Sequence, residues 1–346
     1  MSSPNARVRL CTCQSGYEAT LVRELEAGGA RAGGSGPGWV LAEFAPENGR
    51  APEPGAVFSH LQMESPAAVE ADSVNGLAHG LLDYFSDRLR DERIEQPWPC
   101  VFDGALEPAG LGQRVASVEK AFGKILGRKL GRVGKLASRG LPPGAGPARG
   151  LFVWFTGFGH AFAARSAERG GQRRMADDPR APSRSYLKVE EAYGILGIEP
   201  RAGETVCDLG AAPGGWSYSA AQRGADVVAV DNGPLKGGAL GHPRIQHRCT
   251  DAFGFKPRDG ESFDWLFCDL VEEPHHVLRS IVAPWFEHRW CRRFIINLKL
   301  GRVDPIALLQ ELGDGGSPLA SRGDGVRLRH LYHDRDELTA MGGVKP

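Results

Sequence analysis

The stretch DLGAAPGGW, at residues 208–216, decides the fold of this chain. It begins at the end of the apolar run TVCDL and places a tight glycine-rich turn between that run and a helical pattern. Glycine lets the backbone approach a ligand closely, and a helix that begins near Trp216 offers free backbone N–H groups. Ligands of open α/β sheets bind at the carboxyl ends of the strands, so this turn predicts a nucleotide-like ligand.

Short apolar segments recur on both sides of the turn and alternate with helical patterns, one of which spans residues 186–196. The predicted strands are TVCDL (205–209), DVVAVD (226–231), RIQHR (244–248), FDWLFCD (263–269), RFIINLK (293–299) and, as the last, RLRHLY (327–332). Apolar, β-branched strands that alternate with helices are typical of a mostly parallel sheet covered on both faces. The C-terminal half is therefore predicted to be a Rossmann-like α/β domain.

Three aspartates follow successive predicted strands, namely Asp231, Asp251 and Asp269. Acids at strand ends often only cap the next helix, but three in order beside a glycine-rich turn indicate a cofactor site, with Asp231 placed to bond ribose hydroxyls. Ala212 stands where the dinucleotide fingerprint G-x-G-x-x-G has its second glycine. A nicotinamide-dependent oxidoreductase is therefore disfavoured.

The composition of the 346-residue chain predicts two or three domains, with 41% hydrophobic and 24% charged residues and a formal net charge of zero. The seven cysteines are scattered without a CxxC pair, so reduced thiols and no metal site are expected. We find neither the apolar core of a signal peptide nor an apolar run of transmembrane length. These features predict a soluble, cytoplasmic protein with no membrane partner.

The N-terminal half has an uneven charge distribution. Residues 1–80 contain five Lys/Arg and nine Asp/Glu, whereas residues 114–139 contain eight Lys/Arg and one acid. We expect a short strand and a helix within residues 7–29, a strand at 39–44, a helix at 76–93, an amphipathic helix within 118–140, and one or two strands at 151–166. The predicted domains are an α+β subdomain at 1–80, an RNA-binding domain at 81–168, a linker at 169–182 and the α/β domain at 183–346.

The basic segment of residues 114–139 predicts a surface that binds RNA phosphates without reading sequence. Its cations recur partly at i, i+4 spacing, opposite an apolar face. A solvated helix face is an equally good interpretation, and four glycines within twelve residues weaken the helix. The predicted RNA-binding residues, the last of them just after the linker, are Lys120, Lys124, Arg128, Lys129, Arg132, Lys135, Arg139 and Arg184.

DLGAAPGGW is similar to the first motif of the FtsJ-like ribose 2′-O-methyltransferases. APSRSYLKVEEAY, VDNGPL, FCDLVEEP, INLKL and LYHDRDELT extend the resemblance to a bacterial family that methylates a cytidine ribose in the peptidyl-transferase loop of 23S rRNA. The resemblance is dense over residues 181–339 and more diffuse in the N-terminal half, where GYEATLVRELE matches best. It implies an N-terminal THUMP domain, which binds RNA, before the Rossmann-like domain.

The resemblance also implies S-adenosylmethionine as cofactor, and no metal. With Gly210 and Trp216 added from the turn itself, the expected cofactor contacts are Ser185, Gly210, Ala212, Pro213, Gly214, Gly215, Trp216, Asp231, Asp251 and Asp269.

The FtsJ-like catalytic pattern is Lys-Asp-Lys-Glu, and the matching positions are Lys188, Asp269, Lys299 and Glu337, with Asp336 an alternative for the last. A ribose hydroxyl needs a base, and a lysine serves if a nearby cation and partial burial lower its pKa toward neutrality. Lys299 would be that base, Lys188 the second cation and Asp269 the group that orients Lys299. From the residues alone, only Asp269 would be selected.

Several alternatives remain at this point. The chain could methylate another RNA, or bind RNA without catalysis while retaining the fold, although both lysines are present. The sequence CDLVEEP contains neither the NPPY motif nor the cysteine nucleophile of base methyltransferases. Free or early-assembly 23S rRNA is the expected partner, because the target loop would be enclosed in a finished subunit, and a monomer is expected.

Overall fold

The computed structural model describes residues 7–44, 55–89 and 92–346. The chain forms two compact units, Met1–Gly171 and Gln172–Pro346, which we call the N-terminal and C-terminal units. No helix in the described part of the chain is long and apolar enough to cross a membrane.

In its described residues, the N-terminal unit is an α+β structure built on one sheet of nine strands. Its elements are β1 (Arg7–Thr12), α1 (Glu18–Ala27), β2 (Arg31–Gly36), β3 (Trp39–Phe44), β4 (Leu61–Glu64), β5 (Ala67–Glu70), α2 (Val74–Leu89), β6 (Trp98–Gly104), α3 (Leu111–Lys129), α4 (Gly131–Lys135), β7 (Ala137–Ser138), β8 (Gly146–Gly157) and β9 (His160–Arg169). Within the described residues the strand order is β2-β3-β1-β4-β9-β8-β6-β7, and β5 also pairs with β9.

Helices α2 and α3 pack against each other and cover the sheet with apolar side chains. Leu77, Leu81 and Phe85 of α2 meet Val118 and Phe122 of α3 in this core, and all five are almost completely buried. The apolar face of α3 therefore makes the tertiary contacts that stabilise this glycine-containing helix.

The basic helix lies earlier in the chain than its charges predict. It begins at Leu111, and α3 ends at Lys129 before the short α4 (Gly131–Lys135), so the prediction of a helix within 118–140 was wrong about where the helix begins. The helix predicted at 76–93 spans Val74–Leu89, and residues 90 and 91 lie outside the described part. The run predicted at 151–166 forms the two antiparallel strands β8 and β9.

One sheet contains strands from both sides of the domain boundary predicted between residues 80 and 81. That boundary falls inside α2 (Val74–Leu89). The N-terminal unit ends at Gly171, within the linker predicted at 169–182.

The C-terminal unit alternates strands and helices. Its elements are α5 (Tyr186–Leu196), β10 (Thr205–Leu209), α6 (Gly215–Gln222), β11 (Asp226–Val230), a 3-10 turn (Gly237–Ala239), β12 (Ile245–Arg248), β13 (Phe263–Cys268), α7 (Pro274–Val277), a π-helical turn (Leu278–Val282), α8 (Ala283–Glu287), β14 (Cys291–Lys299), α9 (Pro305–Gly313), α10 (Pro318–Arg322), β15 (Gly323–Arg329) and β16 (Glu337–Val344).

The strand order of this unit is β12-β11-β10-β13-β14-β16-β15. Strands β10 to β14 pair in parallel, and β16 pairs antiparallel with both β14 and β15. The strand order reverses at β10, where open α/β sheets bind their ligands. The predicted Rossmann-like α/β fold is therefore confirmed.

The sequence pattern missed one strand of this sheet. RLRHLY was predicted to be the last strand, but β15 ends at Arg329 and β16 follows at Glu337–Val344. The glycines of β16 weaken its strand pattern, but one of them, Gly342, lies where a side chain would be in tight contact with β15. A Cβ on Gly342 would lie 3.0 Å from the carbonyl oxygen of Asp324 and 3.1 Å from Cα of Val326, where a register shift interrupts β15.

Aromatic side chains fill the core of the C-terminal unit, and Trp265, Phe267 and Trp285 are among its fully buried members. All seven cysteines are free thiols, and all except Cys249 are buried. The six buried cysteines therefore pack as small apolar residues.

Candidate active site

The glycine-rich turn after β10 has a geometry that demands glycine. Gly210 and Gly214 have φ values of 78° and 105°, in the region that side chains disfavour. A Cβ on Gly214 would lie 2.5 Å from Cβ of Ala239, well inside contact distance. The backbone N–H of Gly210 donates to the carbonyl oxygen of Val230 at 3.0 Å, which ties the turn to the end of β11.

Asp231 links this turn to the segment after β11. Its Oδ2 accepts the backbone N–H of Ala212 at 3.0 Å, and its Oδ1 accepts that of Gly233 at 2.6 Å. Asp231 is thus held at the carboxyl edge of the sheet beside the turn, with its carboxylate only partly buried.

Asp208, the last-but-one residue of β10, is a buried acid directly beneath the turn. The hydroxyl of Ser217 donates to its Oδ2 at 2.6 Å, while its Oδ1 has no hydrogen-bond partner among the described residues. Burial raises the pKa of Asp208 to about 7.

Ser185 and Trp216 connect the beginning of α5 to the turn. The indole N–H of Trp216 donates to the carbonyl oxygen of Ser185 at 2.9 Å, and its ring packs edge-on against Phe267. The Trp216 side chain is therefore a core group, and only its backbone can face a ligand. A Cβ on Gly215 would lie 3.1 Å from the hydroxyl oxygen of Ser185, so glycine permits this close approach.

Asp251 lies apart from these contacts. It is exposed in the loop that follows β12, and its Oδ1 accepts the backbone N–H of Phe253 at 3.2 Å. Because β10, β11 and β12 are parallel neighbours, Asp251 still belongs to the same edge of the sheet as Asp231.

Four charged side chains from four separate elements meet at this edge. Lys299 Nζ lies 2.5 Å from Asp269 Oδ1 and 2.7 Å from Glu337 Oε2. Lys188 Nζ lies 2.5 Å from Glu337 Oε1 and 3.6 Å from Asp269 Oδ2. We call these four residues the tetrad. Each carboxylate therefore faces both lysines.

The fold explains why distant residues converge in the tetrad. Lys188 lies in the first turn of α5, Asp269 directly follows β13, and Lys299 is the last residue of β14. Glu337 is the first residue of β16 and pairs with Lys299 in the antiparallel register. Asp336, its alternative from sequence, is exposed, and its carbonyl oxygen accepts the backbone N–H of Leu300.

The contacts within the tetrad raise the pKa of Lys299 and lower the pKa of Glu337. Burial lowers the pKa of Lys299, but the charges of Asp269 and Glu337 and their hydrogen bonds outweigh it, so this pKa lies above the ordinary lysine value. Burial likewise raises the pKa of Glu337, but Lys188 and Lys299 bring it below the usual range. The expectation that burial and a second cation lower the pKa of Lys299 was therefore wrong, because the two carboxylates outweigh them.

Sequence reasoning missed three buried polar residues behind Lys299, namely Asn297, Asp334 and Thr339. The side-chain oxygen of Asn297 accepts from Lys299 Nζ at 2.7 Å. One signal for Asn297 was available, because it is the polar residue in the apolar run FIINLK. Residues i and i+2 of a strand share a face, so Asn297 lies on the face of Lys299.

The predicted RNA-binding cations of the N-terminal unit are exposed but do not lie on one helix. Lys120, Lys124, Arg128 and Lys129 belong to α3, whereas Arg132 and Lys135 belong to α4. Arg139 follows β7 and forms an ion pair of 3.3 Å with Glu119. In the C-terminal unit, Arg184 is 79% exposed and lies 3.7 Å from Asp177.

Three aromatic residues at the end of β8 and directly after it have different environments. Trp154 and Phe155 are buried in the sheet of the N-terminal unit, whereas Phe158 is 46% exposed. In the described ranges, no group of three or more His, Cys, Asp or Glu residues is placed to hold a metal ion.

Comparisons with known proteins agree with this geometry. A family model described as FtsJ-like methyltransferase matches residues 181–289, which include the turn, Lys188 and Asp269. "Ribosomal RNA large subunit methyltransferase M" of Stenotrophomonas maltophilia strain R551-3 is 33% identical over 365 residues, covering 96% of this chain and 96% of its own. The protein of that name from Alkalilimnicola ehrlichii is 33% identical over 361 residues, covering 96% of this chain and 93% of its own.

A solved structure also resembles the chain. The 1,6-didemethyltoxoflavin-N1-methyltransferase of Burkholderia thailandensis, with bound S-adenosylhomocysteine, is 16% identical, covers 49% of this chain and 80% of its own, and has a TM-score of 0.34. This likeness is too low to support an argument.

The fold, the glycine-rich turn and the family match define an S-adenosylmethionine-dependent methyltransferase of the FtsJ-like class. The chain belongs to the ribosomal RNA large subunit methyltransferase M family.

Proposed function

We propose that this protein methylates the ribose 2′-oxygen of a cytidine in the peptidyl-transferase loop of 23S rRNA, with Lys299 as the general base. The tetrad is the observation that supports ribose-oxygen chemistry, because it joins two lysines and two carboxylates at the cofactor edge of the sheet. The printed names of the relatives support ribosomal RNA as the substrate class. The nucleotide itself is proposed from the resemblance of the sequence motifs.

The donor groups at this edge fit S-adenosylmethionine. We propose that Asp231 binds the ribose hydroxyls and Asp251 the adenine amino group, while the backbone at Gly210 and residues 212–215 lies against the methionine part. Ser185 and Asp269 complete the proposed contacts. When bound, the cofactor supplies a methyl group on a positively charged sulfur, which leaves as the neutral thioether.

A ribose hydroxyl is a poor nucleophile near neutral pH, so its proton must be removed as the oxygen attacks the methyl carbon. We assign this role to the neutral amine of Lys299, which becomes an ammonium when it takes the proton. Asp269 and Glu337 hold the amine in place at 2.5 and 2.7 Å. Lys188 neutralises the same two carboxylates, which limits how far they raise the pKa of Lys299.

The charges of the tetrad explain how Lys299 could be deprotonated in a working complex. The two lysines of the tetrad balance its two carboxylates, so the tetrad itself does not offset a positive charge that is brought beside it. Like charges disfavour the charged form of a lysine, so a bound cationic cofactor would lower the pKa of Lys299. The base would then be prepared only when the methyl donor is present.

We propose that the exposed cations of α3 and α4 bind the RNA backbone. Lysine and arginine neutralise phosphates without reading base sequence, so RNA shape would supply specificity in this unit. Arg184, exposed just before α5 in the C-terminal unit, is a further proposed phosphate contact. We propose free or early-assembly 23S rRNA as the substrate form, a monomeric enzyme and a cytoplasmic location.

The direct experiment uses S-adenosylmethionine labelled in its methyl group and 23S rRNA that lacks its natural modifications. Digestion to nucleosides and mass spectrometry should place the label on the ribose of one cytidine, and primer extension should place that cytidine in the peptidyl-transferase loop. Label on a base would contradict the chemistry. Label on a ribose elsewhere, or only on another RNA, would contradict the substrate.

A further inference from the structure

We infer that Asn297 is a positioning residue for Lys299, and that Asp334 and Thr339 fix the amide of Asn297 so that its oxygen faces the lysine nitrogen. This inference rests on the proposed role of Lys299 as the base. It assigns a function to a buried polar cluster that contacts the proposed base from within the core.

Asn297 contacts Lys299 from inside the protein. It lies on β14, is fully buried, and its Oδ1 accepts from Lys299 Nζ at 2.7 Å. Asp269 and Glu337 accept from the same nitrogen, so the three N–H bonds of the ammonium have three acceptors. Lys299 is therefore held from three directions, and one of the three acceptors is uncharged.

The orientation of the Asn297 amide is determined by the groups behind it. Its Nδ2 donates to Asp334 Oδ1 and to Thr339 Oγ1, both at 3.1 Å. The Thr339 hydroxyl donates in turn to the Asp334 carboxylate, which also accepts the backbone N–H of Leu331 at 2.9 Å. Because both neighbours of Nδ2 accept hydrogen bonds, a flipped amide would place its oxygen against acceptors. The amide oxygen must therefore face Lys299.

A neutral acceptor has a chemical use that a third carboxylate would not have. After proton loss the amine keeps two N–H bonds for its three acceptors, and an amide oxygen accepts one of them as readily as it accepts from the ammonium, so Asn297 can hold the nitrogen in both states. A carboxylate strongly favours the charged form. Asn297 thus fixes the position of the base without adding a negative charge that would keep it protonated.

The charged groups around Lys299 come from three elements besides its own strand. Asp269 follows β13, Glu337 begins β16, and Lys188 of α5 contacts both of these carboxylates. Asp334 faces Lys299 only through Asn297, and burial raises its pKa to about 7. Its three donors bind it as an acceptor, which is the role that the orientation of Asn297 requires.

The test measures single-turnover methyl transfer from pH 6 to pH 10 with saturating cofactor and 23S rRNA. Asn297→Asp adds a charge beside Lys299 and places a second oxygen against Asp334, so the midpoint of the pH profile should move up by about one unit and the high-pH plateau should fall. Asn297→Leu removes the acceptor, so the plateau should fall about 10- to 100-fold at every pH because the amine is misplaced. Asn75→Asp, an exposed change in α2, is the control for added charge and should leave the profile unchanged.

Two further variants test the fixing of the amide. Asp334→Asn places a donor group beside Asn297, which should turn the amide and lower the plateau. In the double variant Asn297→Asp with Asp334→Asn, the new amide can donate to the new carboxylate. This variant should recover the plateau while the midpoint stays raised. If Asn297 only supported the fold, its variants would lower the stability of the protein. The plateau and the midpoint of the pH profile would then not respond separately to the two kinds of substitution.

The pKa of Lys299 can also be measured directly, independently of the rates. The pKa of Lys299, measured by NMR on lysine labelled at the side chain, should rise in Asn297→Asp, and this measurement serves where Asn297→Leu does not fold. Unchanged rates in Asn297→Leu and Asp334→Asn, or an unchanged Lys299 pKa in Asn297→Asp, would overturn the inference while leaving the proposed function intact. Full activity of Lys299→Ala would instead overturn the proposed function and the inference with it.

Discussion

Lys299 and Glu337 are direct partners in the antiparallel register of β14 and β16, and their side chains meet at 2.7 Å. Lys299 ends its strand and Glu337 begins the other, so the pair lies at the edge of the sheet where Asp269 also emerges. The antiparallel pairing of β16 thus brings a carboxylate from the end of the chain to the proposed base.

Glu337→Gln should shift the pH dependence of methyl transfer. In the proposed mechanism the neutral amine of Lys299 is the active form, so the rate should rise as pH rises through the pKa of Lys299. Glu337 raises that pKa, and replacing its charge by an amide should move the rising limb to lower pH by about one unit. Single-turnover rates from pH 6 to pH 10 measure the shift.

The control for this change is Glu311→Gln, which removes one charge from an exposed position on α9. It should leave the profile unmoved. A Glu337→Gln profile with the wild-type midpoint, or one moved to higher pH, would mean that Glu337 does not set the pKa of the base.

Gly214→Ala should destabilise the C-terminal unit and prevent cofactor binding. A side chain at φ 105° costs about 1–2 kcal/mol, and the contact with Ala239 adds about 1–3 kcal/mol of overpacking. Chemical denaturation measures the stability, and calorimetric titration with S-adenosylmethionine measures binding.

Gly241→Ala separates the two causes, because Gly241 has φ 67° but open space where a Cβ would lie. It should lose only the strain component of the stability and keep cofactor binding. Equal losses in the two variants would show that the contact with Ala239 is unimportant.

Charge reversal on α3 should weaken RNA binding uniformly across RNA sequences. Replacing Lys120, Lys124 and Arg128 by Glu removes phosphate contacts, so affinity should fall and the slope of log affinity against log salt should become shallower by about two to three. Filter binding at several salt concentrations measures both quantities, and calorimetry should show unchanged affinity for S-adenosylmethionine.

Arg7→Glu is the matched control, since Arg7 is exposed in the same unit but lies outside the basic segment. An equal loss of affinity there would indicate a general charge effect. Unchanged binding in the triple variant would mean that this surface is a solvated helix face.

The sequence predicted most of the C-terminal sheet because local patterns specify it. Strand β10 matches its apolar run, and Asp231 and Asp269 directly follow β11 and β13. Strand β16 was missed because its glycines are explained only by the close approach of β15, which is a contact between distant residues.

The candidate site, like β16, depends on contacts between residues that are distant in the sequence. Asp269 could be predicted from its strand end and Lys299 from the resemblance to the FtsJ-like motifs, but the proposed roles of Asn297 and Asp334 depend on the register of β14 against β16 and on the loop before Glu337. The direction of the Lys299 pKa was also wrong from sequence. Asp269 and Glu337 were expected near Lys299, but that their charges outweigh burial and Lys188 follows only from the distances of 2.5 and 2.7 Å.

The central claim is that Lys299 is the base that activates a ribose hydroxyl, and Lys299→Ala tests it most directly. Single-turnover transfer of a labelled methyl group to unmodified 23S rRNA should fall at least about 100-fold, while calorimetry should show S-adenosylmethionine bound with nearly unchanged affinity. Lys256→Ala, an exposed lysine in the same unit, should behave as the wild type. A Lys299→Ala protein that methylates the ribose at the wild-type rate would contradict the account.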